Sequence, residues 1–441
     1  MVRCIMPTLA LCALTMAAEA QVCQPYWSSL DGLQAVTQDL EVFDDGTGPA
    51  LFVAGYVALP GQTPFYHDIV KWRPHRTEVL ATSICGSAGW LRTVDLGAGP
   101  MLVASGDFCD YSIPSLTWYA LWTGTTWTYL PPGLMIFAPP PYFIGLTFPA
   151  LRMQTSAGAM QHGTLRFAQE KDALVIWNGE TWKRVDPIGA NRWMEHFCHW
   201  RRNGQDVLVV WGEFTSVAGV PANKLAIFNG ATWEGFATRP ALYTRCMKAF
   251  DDGTGEKLYI AGGGTNNGGS MIWRWDGSTW SDLGNPLPSY PGTITHVEAM
   301  EVFDDGRGPA LFVAGVFNQA GGVPARNFAR YDGTSWSAVG VGLGHGSSFG
   351  YKLKVFGDSL VIGGEFLNVG GGQSEGLARW VSCRACYPDC DENGRLDIGD
   401  FTCFLTRRAA RDPYANCTVD ATIDASDFVC FMNKYAAGCG R

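Results

Sequence analysis

The feature that most constrains this chain is a motif that returns about every fifty residues. An aromatic residue opens a tight turn and a tryptophan closes it: WTGTTW at 122–127, WNGETW at 177–182, FNGATW at 228–233, WDGSTW at 275–280 and YDGTSW at 331–336. Weaker copies, KWRPH at 71–75 and ARW at 378–380, complete a series anchored on Trp72, Trp122, Trp177, Phe228, Trp275, Tyr331 and Trp380. The spacings are 50, 55, 51, 47, 56 and 49 residues. Upstream of the anchors run apolar segments such as ALFVAG and DVLVVWG. Their apolar residues fall on successive positions, not alternate ones, so both faces of each strand must be buried. The Asx-Gly and Gly-Thr pairs supply the positive-φ residues that tight hairpins demand.

One hairpin is nearly duplicated. EVFDDGTGPALFVAG (41–55) and EVFDDGRGPALFVAG (301–315) agree at fourteen of fifteen positions, and FDDGTG returns at 250–255. Asp44-Asp45-Gly46 and Asp304-Asp305-Gly306 resemble the start of a calcium loop but lack the further oxygens such a loop needs downstream. They are expected to be turns between the first two strands of a unit.

A period near fifty with strand–turn–strand content predicts an all-β fold, a seven-bladed β-propeller over residues 21–383. The seventh unit stops at Trp380-Val-Ser-Cys383 without an outer strand, and the segment from Cys23 to Leu30 reads like the missing one. The first strand is therefore expected to complete the last blade and leave no open edge. These motifs, with FDDGRGPALFVAG, GGVPA and YDGTSW as their clearest copies, resemble kelch-type propellers and, more closely, exported bacterial repeat proteins. The likeness spans about 24–383 and implies a fold, not a reaction.

The first twenty residues read as a signal peptide: Arg3, an apolar stretch over 4–18, and Ala18-Glu19-Ala20 before Gln21. Export to the cell surface or beyond follows as the expected location. Twelve of the fourteen cysteines lie past that point, and an even number in an exported chain favours disulfides. Closure by the N-terminal strand would place Cys23 beside Cys383, and a disulfide stapling the ring is expected between them. Cys198 and Cys246 fall on inner strands of neighbouring blades, and Cys85 and Cys109 within one blade; both pairs are expected disulfides. The apolar run 134–150 carries Pro139, Pro140, Pro141 and Pro149, which no spanning helix would hold. No transmembrane segment is expected in the mature chain. A net charge of −9 with no basic cluster excludes nucleic acid as a partner.

Past Cys383 the composition changes. DCDENGRLDIGDFTCFL (389–405) and NCTVDATIDASDFVCFM (416–432) are copies offset by 27. The first fits a calcium loop: Asp389, Asp391 and Asn393 at positions 1, 3 and 5, Gly394 at the turn, the Arg395 carbonyl at 7, Asp397 at 9 and Asp400 at 12. The second departs from it. Asn416 replaces the first aspartate and Ala421 the turn glycine, while Asp420, Asp424 and Asp427 remain, so weaker calcium binding or a structural role is expected. Aspartate at position 12, the paired loops and the Gly-Cys ending resemble the cysteine-rich dockerin-like domains of exported bacterial proteins, over about 384–441. That likeness implies a small helical domain, calcium as its cofactor, and docking onto a cohesin-like or other cell-envelope protein.

Within the repeats, chemistry is sparse. His196 and His199 sit three apart on a strand, hence on opposite faces, and read as separately packed. Asp107, Glu213 and Glu365 follow glycine at matching places and could ring one mouth of a channel, or cap hairpins. On the same face, loops of the first three blades bring Phe65, Tyr66, Tyr111, Tyr142 and Phe143 beside prolines. Such aromatics suit stacking on sugar rings or extended peptides, or else form a self-packed lid. Two readings follow: a non-catalytic binding or scaffold protein held in place by its tail, or a polysaccharide-degrading enzyme anchored the same way. The first is favoured, because no pair of catalytic carboxylates emerges.

Overall fold

The computed structural model describes residues 24–61, 67–74, 76–81, 88–95, 100–108, 117–129, 152–154, 160–162, 164–168, 173–177, 182–184, 194–229, 231–236, 242–264, 272–283, 295–344, 351–383, 387–391 and 395–438. The described chain is mostly β, with two α-helices near its C-terminus. Antiparallel sheet units lie in series at 34–81, 88–129, 164–184, 194–235, 242–282, 296–338 and 352–381; the third shows three strands and the others four. The fifth and sixth are joined into one sheet by the pair Gly263↔His296.

The expectation of two-sided burial holds for the second strand of each well-described unit. In Pro49–Ala58 the run from Ala50 to Ala54 is wholly buried, as are Leu208–Trp211 and Ala310–Ala314. Each buried Val, Leu or Phe contributes about 1.5–3 kcal/mol on leaving water. The cores lie between units: Phe250 and Tyr259 of the fifth share a cluster with Leu311 and Val313 of the sixth.

First strands of the first and second, fourth and fifth, fifth and sixth, and sixth and seventh units touch one another, and the last unit meets the first. Lys352–Phe356 and Gln34–Asp44 are in contact, and Thr37 Oγ1 donates to the Gly376 carbonyl at 3.0 Å. Tyr26–Ser28 supplies the fourth strand of the last unit, pairing Trp27 with Trp380 in antiparallel register. The N-terminal strand therefore occupies the place read for it from the sequence.

Charges alternate where first strands adjoin. Lys248 pairs with Glu301, Lys354 with Glu41 at 2.7 Å, and Arg92 with Asp39 at 2.5 Å. Each pair crosses from one unit to the next, and Lys354–Glu41 spans the seam between last and first.

The C-terminal segment is seated on the last sheet. Helix α1 (Ile398–Ala409), a 3₁₀ turn (Pro413–Ala415) and helix α2 (Ala425–Ala437) share a core with Tyr26 and Val381 of the last sheet. Tyr387 and Tyr414 stack with ring centroids 4.8 Å apart. Each hydroxyl donates to the other's backbone carbonyl, and the Tyr26 ring meets both edge-on.

Candidate metal site and ligand face

Both helices begin with the same device. Asp397 caps α1 by accepting from Gly399 N at 2.7 Å, and Asp400 reaches back to Asp397 N at 2.8 Å. Asp424 and Asp427 repeat this capping box at the start of α2. The D-x-x-D spacing thus builds each helix start before any ion is considered.

In the first loop the geometry goes further. Asp400 is fully buried, and its Oδ1 also accepts from Cys390 N at 2.8 Å and Asp391 N at 3.4 Å, folding the loop back over the helix. One carboxylate oxygen each from Asp389, Asp391 and Asp400 then lies within 4.8 Å of the others. Calcium–oxygen bonds run at about 2.3–2.6 Å, so oxygens that close can share one ion. Gly399 makes the room: a Cβ there would stand 2.8 Å from Asp391 Oδ2. An all-oxygen set in a cradle that any side chain would fill suits calcium. Asp397 is turned onto the helix, Arg395 is exposed, and Asn393 lies outside the described residues.

The second loop gathers no such set. Asp420 accepts from Thr422 N at 2.8 Å, Asp424 from Ser426 N at 2.8 Å, and Asp427 from Thr418 N at 3.0 Å. Asn416 is buried, 2% exposed. Disulfides Cys390–Cys403 and Cys417–Cys430, each spanning 13 residues, tie each loop to the helix after it. This connectivity could not be read from the sequence.

The other cysteines divide. Cys383 is disulfide-bonded, while Cys23, Cys85 and Cys109 lie outside the described residues. The expected Cys198–Cys246 bridge is corrected: both are free thiols. Cys198 packs with Met247 and Ala249 between the fourth and fifth units, whereas Cys246 packs against Val297 and Val313 between the fifth and sixth. Alternation along the strand turns Cys246 and Met247 to opposite faces, so the two thiols look into different layers. Burial pushes both up, Cys198 to about 12.

On the proposed ligand face, Phe65, Tyr66, Tyr111, Tyr142 and Phe143 fall outside the described residues. Asp107 belongs to the strand Pro100–Phe108. Glu213 is held at both oxygens by Lys224, at 2.7 and 2.6 Å, across its own hairpin, and Glu365 is exposed just past Ser359–Gly363. His196 and His199 are separate, as read. His199 meets Asp206 at 3.1 Å; His196 stacks near Trp211, and its burial pushes it down to about 4.

The sequence reading missed a second feature of this edge. The first strand of five units carries a bulge at the same step, which sets off Gln38, Gly89, Glu195, Arg245 and Glu298. Bulges re-aim side chains. Two of these residues pair, Arg245 Nη1 with Glu298 Oε1 at 3.0 Å, and Glu298 also receives Tyr351 N at 2.9 Å. Beside them Tyr243 stands 54% exposed, its ring edge-on to Trp211. Nearby sequence alone hints at none of this, because the extra residue shows only when the strands are paired. Asp68, on the first unit, is buried and pushed up to about 6 by that burial.

No protein-family model matches the chain, and no curated protein matches it in sequence. Among solved structures it is similar to YCF48 from Cyanidioschyzon merolae, at 14% identity over 81% of this chain and 99% of that one, TM-score 0.42. It is also similar to the SapL1 lectin in complex with alpha methyl fucoside, at 14% identity over 70% and 97%, TM-score 0.34. A third is the β-propeller domain of the Trilobed protease from Pyrococcus furiosus, at 11% identity over 71% and 97%, TM-score 0.34. These structural neighbours are β-propeller proteins.

Proposed function

We propose that the chain is a secreted, non-catalytic binding or scaffold protein. Its sheets form a seven-bladed, kelch-like propeller whose face holds a carbohydrate or protein ligand. Its tail is a dockerin-like domain that folds around calcium and docks onto a cohesin-like or other envelope partner. The observation that carries this reading is the carboxylate set Asp389, Asp391 and Asp400, built at the foot of a capped helix with Gly399 leaving room for it. The hydrolytic alternative has no comparable support, since Glu213 is engaged at both oxygens by Lys224. No helix among the described residues is long and apolar enough to cross a membrane.

Calcium added to the chelator-stripped full chain is expected to raise its melting temperature. At a hundredfold excess over Kd, the stabilisation is about 2.7 kcal/mol. The double variant D389N/D391N should lose that response. An identical melting curve with and without calcium would overturn the reading. Capture of an envelope partner by the full chain should likewise be abolished by chelator.

A further inference from the structure

Among the described residues, three units carry a small hairpin between their second and third main strands. In the fourth and sixth its outgoing arm is Val220–Pro221 and Val323–Pro324; in the seventh it is Gly372–Gln373. Both replacements face the tail. A Cβ on residue 372 would stand 2.5 Å from Pro413 N and 2.6 Å from the Arg411 carbonyl. Gln373 N donates to that same carbonyl at 2.8 Å, a bond proline cannot make. One residue earlier, at Gly371, a Cβ would stand 2.9 Å from the Ala421 carbonyl. The last hairpin departs from its siblings at two of the three positions where the tail's backbone arrives.

The tail answers with its second loop. Asn416 Nδ2 donates to the Gly370 carbonyl at 2.5 Å and to the Asp420 carbonyl at 2.6 Å. Its Oδ1 accepts from Asp420 N at 3.2 Å. Both donor hydrogens of the amide are engaged, and its oxygen already accepts from the loop's own backbone. A calcium loop needs that first oxygen for the ion. Asp427 is similarly engaged by Thr418 N, Thr418 Oγ1 and Asp424 N. Ser426 stands where the first loop has Gly399, so the cradle is absent as well. Ser29 N and Oγ, bonded to Asp412, extend the contact to the N-terminal strand.

We propose that the second loop is an intramolecular docking element that binds no calcium and fastens the tail to the seventh unit's hairpin. The tail is then a fixed part of the molecule, and an external partner meets it from the first-loop side alone. This rests on the calcium reading of the first loop only for the expected stoichiometry.

Two measurements on the full chain test it. Isothermal titration with calcium should give one ion per chain. Two ions would overturn the proposal; none would remove the first-loop reading while agreeing with an ion-free second loop. Independently, G372V/Q373P restores the Val-Pro that the sibling hairpins tolerate. It should speed amide exchange across residues 411–421 about tenfold while leaving the fourth and sixth units protected. Exchange unchanged from wild type would overturn the docking role whatever the calcium count.

Discussion

Asp45, Asp252 and Asp305, each the second aspartate of an Asp-Asp-Gly turn, have side chains at most 2% exposed. The aspartate before each one makes the turn itself: Asp304 Oδ1 accepts from Gly306 N and Gly308 N at 2.8 and 3.0 Å. In two of the three the second clasps the next unit, while Asp252 is held within its own unit by Lys257 and Arg274. Asp45 accepts from Trp122 Nε1 and Asp305 from Trp380 Nε1, both at 3.1 Å. Where the turn is Asn203-Gly204 instead, the next anchor's Trp275 Nε1 is buried without a hydrogen-bond partner among the described residues. Asp305 also faces Arg307 and Arg330. Asp305→Ala would leave those cations and the indole N–H without their acceptor, so denaturant unfolding should show a loss of about 3–5 kcal/mol. Acid should act on the same Asp-Asp-Gly turns. Burial alone would raise Asp252, but bonds from Lys257 and Thr254 outweigh it and hold it at about 2, below its ordinary 3.8. The stabilisation is complete above the unfolded value and is lost as pH falls from about 4 toward 2. Acid titration followed by tryptophan fluorescence should place a destabilising limb there, reduced in D252N. The turns were legible in the sequence because Asx-Gly chemistry is local. Their clasping role was not, since the partner indole lies some 75 residues away.

Among the elements, the short strand Tyr26–Ser28 is the most consequential for its length. Trp27, 1% exposed, packs against Phe328 and Trp380 and covers Gly370. Trp27→Ala should cost about 3–5 kcal/mol, and the loss should appear as faster exchange along Leu377–Val381 before global unfolding. This strand was readable because its residues match the outer strand of other units and the last unit lacks one. The helices were readable in the same way, from loop spacing followed by an apolar run. The Cys198–Cys246 bridge failed at this scale. Adjacent strands place two cysteines near each other in projection, but the pleat decides which layer each enters.

For the whole molecule, several interactions bridge the seam between last and first units. Lys354–Glu41 crosses it, Thr37 bonds Gly376 across it, and the tail covers the strand that closes it. A double-mutant cycle on Lys354 and Glu41 should yield a coupling of about 1 kcal/mol or less, because the pair is partly exposed. Charge reversal of both should recover most of what either single reversal loses, read as melting temperature.

The amino-acid sequence by itself determined the unit, its turns, the strand that fills the last sheet and three carboxylates of the first loop, Asp389, Asp391 and Asp400. All of these follow from short-range chemistry: backbone φ, side-chain periodicity and ligand spacing within a dozen residues. Only the tertiary structure decided that Asp45 and Asp305 are clasps, that Cys198 and Cys246 face different layers, and that the second loop lies against the seventh unit. Those outcomes depend on which surfaces meet after the units pack. A residue such as Gln373 shows its purpose only when Arg411 is found beside it.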